Sequence, residues 1–237
     1  MPRRQTSALL VIDMQNDFLA EGGYYDAREK LDRARQGPLQ ARDIAYLSGL
    51  YLTPPATYQI REQYQPFVQR VAELAATALR AGMATVFVQA VYDPASCDRP
   101  PLFLHDPQRL HYGCHPGSWG ADFVEPIQDL TTHEQATVMA KPTFDAFFAT
   151  ALRKILRAKQ IHTLYVTGVE TNVCVLFTAC SALSNGFETI LVDDGVTTSQ
   201  PALHEPALQI LECAKAKRIT AEAFMTQLRP GSVDNSP

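Results

Sequence analysis

Short runs of apolar, β-branched residues alternate along the chain with longer stretches whose apolar positions recur at helical spacing. The runs are Ala8 to Asp13, Ala84 to Ala90, Thr137 to Ala140, Leu164 to Thr167 and Thr189 to Val192, with a shorter one near Arg218 to Thr220. They show little apolar–polar alternation, which predicts strands covered on both faces, as in a parallel sheet. Residues 66–81 place Phe67, Val71, Leu74, Ala75, Ala78 and Leu79 on one helical face, and Gly82 stops that helix. A helix from about Thr150 turns Leu152, Ile155 and Leu156 inward and Arg153, Lys154 and Arg157 outward. Further helices are predicted after Thr171, from Pro206 to Ala216, and from Ala221 to Leu228 with Thr220 as N-cap.

Strands alternating with helices predict an α/β fold: one doubly wound, Rossmann-like domain over residues 1–237 with a mostly parallel central sheet flanked by helices. Residues 26–65 break the pattern and read as an insertion with some helix. Met14 to Leu19 reads as a short loop, Glu21 to Tyr25 as a turn, and Asp93 to Gly120 as surface loop over the site. Asp193-Asp194-Gly195 closes the fifth strand, its acids reading as loop and cap residues, and the tail from Pro230 reads as frayed.

In such a sheet ligands bind beyond the carboxyl ends of the strands, where strand order reverses. Asp13, Lys141 and Cys174 each fall at or just past a strand end, so three distant positions converge on one crevice. With Thr171 as N-cap, Cys174 is the third helical residue, near unpaired N–H groups and the positive end of the helix dipole, a setting that lowers a thiol pKa. Each residue also has a plainer reading: Cys174 as a small core hydrophobe, Asp13 as a loop-capping carboxylate, Lys141 as its solvated partner. Together they suit covalent chemistry, with Asp13 as base, Lys141 as cation and Cys174 as nucleophile. The backbone N–H groups of Glu170 and Cys174 would hold the oxyanion.

Composition narrows the partners. A net charge of −4, with no cluster of Lys and Arg interleaved with aromatics, lacks the footprint of a nucleic-acid binder. No apolar run approaches the ~20 residues that span a bilayer, and Ala8 to Ile12 is too short for a signal-peptide core. A small-molecule partner and a cytoplasmic location are therefore expected, with no membrane partner. The five cysteines, Cys97, Cys114, Cys174, Cys180 and Cys213, are odd in number and lack a C-x-x-C pair, which fits reduced thiols over a Cys97–Cys114 disulfide. His105, His111 and His115 sit in a Pro- and Gly-bearing loop without a carboxylate pattern, so neither a metal nor a cofactor is expected. Asn16, Phe18, Trp119, Phe144 and Gln200 are candidate pocket residues.

Leu10-Val-Ile-Asp13-Met-Gln-Asn-Asp-Phe18, Lys141-Pro-Thr-Phe-Asp-Ala-Phe-Phe148 and Val166-Thr-Gly-Val-Glu-Thr-Asn-Val-Cys174 resemble the isochorismatase-like cysteine hydrolase family, in the same order and over most of the chain except about 26–65. The resemblance implies an Asp13–Lys141–Cys174 catalytic triad, a cis Val169–Glu170 peptide bond and a homo-oligomer, dimer or tetramer. Members carrying the cysteine mostly hydrolyse C–N bonds of small amides, ureides or carbamoyl compounds through a thioester. Isochorismatases proper cleave a vinyl ether and lack that cysteine, so Cys174 implies the amidase branch. Nicotinamidases often bind a metal through Asp-x-His and a later His; Asp93-Pro-Ala departs from that pattern. Glu170 is bulky and charged where the family often has a small residue. The alternatives are vinyl-ether hydrolysis, a non-catalytic binding protein on the same fold, and a redox sensor using Cys174 with Cys180 or Cys213.

Overall fold

The computed structural model describes residues 6–34, 55–93 and 113–229. Cys97, His105, His111, half of the predicted insertion (35–54) and the tail from Pro230 lie outside the described residues. The first strand, β1 (Ser7–Ile12), is buried throughout. A short helix α1 (Asn16–Leu19) and a longer helix α2 (Tyr24–Ala34) follow: most of the stretch read as a loop is helical, whereas the turn read at Glu21 to Tyr25 holds as far as Gly23, after which α2 begins and runs into the predicted insertion. Their sequence gives no strong start signal: the residue before α1, Gln15, makes no side-chain cap, and Gly22-Gly23 disguises the start of α2.

After α2 come helix α3 (Gln65–Arg80) and strand β2 (Ala84–Ala90), then the short helix α4 (Glu125–Gln128) and strand β3 (Ala136–Lys141). Helix α5 (Leu152–Ala158), strand β4 (Thr163–Val169), helix α6 (Leu176–Ser184) and strand β5 (Glu188–Thr197) come next. The chain continues through α7 (His204–Cys213), β6 (Lys217–Ile219) and α8 (Ala221–Leu228), whose cap Thr220 accepts from the Ala223 N–H. Strand β5 does not stop at Asp193. It runs on to Thr197 after a register shift against β4, and there Asp193 pairs with Arg218 while Asp194 accepts from the Ala221 N–H at the start of α8.

The six strands pair in the order β3-β2-β1-β4-β5-β6, every pairing parallel. Order reverses between β1 and β4, which makes their carboxyl ends the expected ligand crevice. Period-two alternation divides β1 between two cores. Leu9 and Val11 pack with Val68, Val71 and Leu74 of α3 and Phe224 of α8. Ala8, Leu10 and Ile12 pack with Leu152 and Leu156 of α5, Ala179 of α6 and Leu208 of α7. Burial on both faces is the reason β1, β2, β4 and the first part of β5 read as continuous apolar runs; the edge strands β3 and β6 are only partly covered, with Val138 of β3 exposed.

Candidate active site

Beyond Ile12 the chain leaves the sheet through Asp13, which adopts a left-handed conformation with φ 52°. Asp tolerates that region better than most residues. The Asp13 N–H donates to the Val88 carbonyl at 2.9 Å, so the turn stays tied to β2. Gln15 fixes the exit: its Nε2 donates to the Ala90 and Ala121 carbonyls at 2.9 and 2.7 Å, and its Oε1 accepts from the Ala90 N–H at 2.8 Å. The Asp13 carboxylate is thereby held over the carboxyl edge of the sheet with no solvent exposure.

Lys141 is the last residue of β3, inside the strand and not after it. Its Nζ lies 2.9 Å from Asp13 Oδ2, donates to the Thr143 carbonyl at 2.9 Å, and lies 3.4 Å from Cys174 Sγ. The Tyr92 ring covers it, centroid 6.0 Å away. Burial alone would weaken a proton's hold on Lys141, but Asp13 and Cys174 outweigh that and raise its pKa. The ammonium is charged, and its buried counter-charge is Asp13.

Cys174 does not sit in an ordinary first helical turn. Residues Thr171–Val175 form a wide turn in which the Val175 N–H reaches back five residues to the Glu170 carbonyl at 3.1 Å, and the Leu176 N–H likewise to Thr171. Thr171 makes no side-chain cap; its Oγ1 lies 3.0 Å from His204 Nδ1 on α7. The expectation of a lowered thiol pKa is reversed. Burial, followed by the negative charge of Asp13, pushes the thiol up, and Lys141 offsets this only in part. Burial likewise raises Asp13 against the pull of Lys141. With the thiol pushed up and Lys141 held charged 2.9 Å from Asp13, moving the thiol proton to an Asp13 carboxylate paired with that ammonium changes no net charge.

The Val169–Glu170 peptide bond is cis. Glu170 is buried and turned away from the cavity beside the triad: its Oε2 accepts from Thr198 Oγ1 at 2.7 Å, the Ser199 N–H at 2.5 Å and Ser199 Oγ at 3.0 Å. Its bulk therefore occupies no part of that cavity. Burial raises its pKa, and these three hydrogen bonds oppose the shift. The segment after Lys141 is clasped to α6, where Thr178 Oγ1 accepts from the Ala146 N–H at 3.0 Å and Ser181 Oγ donates to Asp145 at 2.6 Å. That clasp fixes Phe144 against the site.

A cavity of 480 Å³ opens here, walled by Phe18, Phe144 and Gln200 as expected, and also by Tyr92, Val173 and Ser199. Asn16 and Trp119 do not line it. Asn16 is buried, with Nδ2 donating to the Trp119 carbonyl at 2.9 Å, and Trp119 packs edge-on to Tyr58 at 6.4 Å. A further wall comes from α2 through Tyr25, Arg28, Glu29 and Asp32. These four were missed by sequence reasoning, although their spacing of i, i+3, i+4 and i+7 is a helical-face signal.

Among the described residues no group of three or more His, Cys, Asp or Glu side chains could hold a metal ion. Cys114, Cys174, Cys180 and Cys213 are free thiols. No helix among the described residues is long and apolar enough to cross a membrane.

The Isochorismatase domain family matches residues 7–223. The chain belongs to the isochorismatase family. Among its relatives, a ureidoacrylate amidohydrolase RutB of Methylorubrum extorquens is 28% identical over 225 residues, covering 87% of this chain and 76% of the relative. That of Yersinia enterocolitica is 27% identical over 214 residues, covering 85% and 79%. Similar folds include a nicotinamidase from Bacillus subtilis, with TM-score 0.67 and 23% identity over 90% of this chain and 98% of the other. The N-carbamoylsarcosine amidase from Thermoplasma acidophilum superposes with TM-score 0.63 and 18% identity, covering 92% and 97%. At those identities the two structures support the isochorismatase fold alone.

Proposed function

We propose that this isochorismatase-family chain hydrolyses a C–N bond in a small amide, ureide or carbamoyl compound, with Cys174 as nucleophile. The observation that carries the reading is the buried Asp13–Lys141–Cys174 cluster beside a cavity of small-molecule size. The names of the ureidoacrylate amidohydrolase relatives support the same bond class.

The chemistry follows from charge. A raised thiol pKa makes free thiolate scarce, so Cys174 is activated only by handing its proton to Asp13 as the sulfur attacks. Lys141 holds either anion, Asp13 carboxylate before the transfer or thiolate after it, and so lowers the cost of exchanging them in a dry site. Attack forms a C–S bond and turns the carbonyl into an oxyanion, which the Glu170 and Cys174 N–H groups are proposed to receive. Asp13 then returns its proton to the departing nitrogen, the C–N bond breaks, and a thioester remains. Water, deprotonated by Asp13, displaces Cys174 and releases the acid.

The family resemblance brings a homo-oligomer, dimer or tetramer, into the proposal, with the exposed Phe148, Phe177 and Ile210 as side chains for its interface to cover. The free thiols fit a cytoplasmic location. The test of the reaction is ammonia or amine release across a panel of small amides, ureido acids and biuret-like compounds, beside Cys174→Ala. Release abolished in the variant supports the hydrolase; turnover retained without the thiol rejects it.

A further inference from the structure

Helix α2 turns one face, Tyr25, Arg28, Glu29 and Asp32, into the cavity. The charges on that face differ in how far they are already satisfied. Glu29 is engaged by the buried Arg61, whose Nη2 lies 2.6 Å from Glu29 Oε2. Arg28 is not comparably engaged. Its nearest acid, Asp32, lies at 3.8 Å with its side chain 55% exposed, and its Nη1 lies 3.5 Å from the Tyr24 hydroxyl. These are weak contacts for a guanidinium, whose planar donors favour two-point binding of a carboxylate.

Beside it, Tyr25 is fixed edge-on against Phe18 at 5.2 Å and tilted against Tyr24 at 5.9 Å. Its hydroxyl has no hydrogen-bond partner among the described residues. Burial, with the nearby Glu170 and Cys174 adding to it, keeps that phenol protonated and hence a donor. The cavity thus offers a guanidinium and a phenol O–H on one helical face, while Tyr92 and Phe144 form an aromatic wall beside the triad.

We propose that Arg28 and Tyr25 are the specificity site for a carboxylate on the substrate, so that the compound hydrolysed is a short ureide or amide bearing an acid group. This rests on the hydrolase reading above. A short carboxylate-bearing substrate would put its acid group on the α2 face and its carbonyl toward Cys174, with the planar part against the aromatic wall. Neutral amides lack the group that Arg28 holds.

The test is calorimetric titration of the Cys174→Ala protein with 3-ureidopropionate and with its uncharged amide, alone and combined with Arg28→Gln, Arg28→Lys or Tyr25→Phe. The acid is expected to bind at least about tenfold more tightly than the amide, as for a charge-assisted pair. Arg28→Gln should weaken the acid by about 10- to 100-fold while changing the amide less than about twofold. Arg28→Lys should restore part of the preference, and Tyr25→Phe should lower it by roughly tenfold. Equal binding of acid and amide, a preference that survives Arg28→Gln, or no binding of the acid at millimolar concentration overturns the proposal. Cys174-dependent release from neutral substrates alone would overturn it and leave the hydrolase standing. Turnover that persists without Cys174 would reject the hydrolase, whatever the binding preference.

Discussion

Lys141 and Asp13 meet at 2.9 Å with both side chains fully buried, one at the end of β3 and the other just past β1, with β2 between them in the sheet. Neither charge tolerates that depth alone, and each makes the other's burial possible.

Removing the cation should therefore cost stability as well as activity. Lys141→Met leaves Asp13 buried without its partner, and unfolding at pH 7.5 is expected to lose about 3–5 kcal/mol. Asp13 already has a raised pKa, and the variant raises it further, so the loss should shrink as acid neutralises the carboxyl. Urea unfolding at pH 7.5 and 5.5 measures both effects; a variant as stable as the parent at pH 7.5 would contradict the coupling.

Gly168 makes the site's geometry possible. It has φ 120°, and a Cβ there would stand 2.0 Å from the Ile12 carbonyl oxygen, next to the turn that carries Asp13. Backbone cannot yield as a flexible side chain would, so Gly168→Ala must push β1 and β4 apart. A loss of several kcal/mol is expected, on the order of other severe backbone substitutions. Thermal unfolding followed by circular dichroism checks it, and an unchanged midpoint would refute the close approach.

Asp17, buried four residues past Asp13, supplies a pH dependence of its own. Burial pushes its carboxyl up to about 6, although the Cys114 and Tyr24 N–H groups, at 2.5 and 2.8 Å, oppose the shift. A carboxyl raised from 3.8 contributes stability that is fully present below 3.8 and lost as pH rises through about 6. Each pH unit between those two values is worth about 1.4 kcal/mol, so the share of Asp17 is about 3 kcal/mol. Urea midpoints between pH 7.5 and 4 should show a stability gain on acidification that is smaller by roughly this amount in Asp17→Asn. Identical pH profiles for the two proteins would rule out the assignment.

The chain pattern by itself determined the strands, most helices and the convergence of Asp13, Lys141 and Cys174, because strands covered on both faces must be apolar and charged residues are then forced to their ends. It also carried the family motifs in their order. Tertiary structure alone decided the charge states: helix position suggested an activated thiol, but burial and the Asp13 charge reverse that, and both come from neighbours distant in sequence. It likewise decided the pocket. Phe18, Phe144 and Gln200 face the cavity, whereas Asn16 is spent on the Trp119 carbonyl, and α2 supplies a wall whose start was hidden by Gly22-Gly23. Local sequence encodes which residues a strand or helix can hold. Which of them face a common space depends on packing between elements, and that is set by the whole fold.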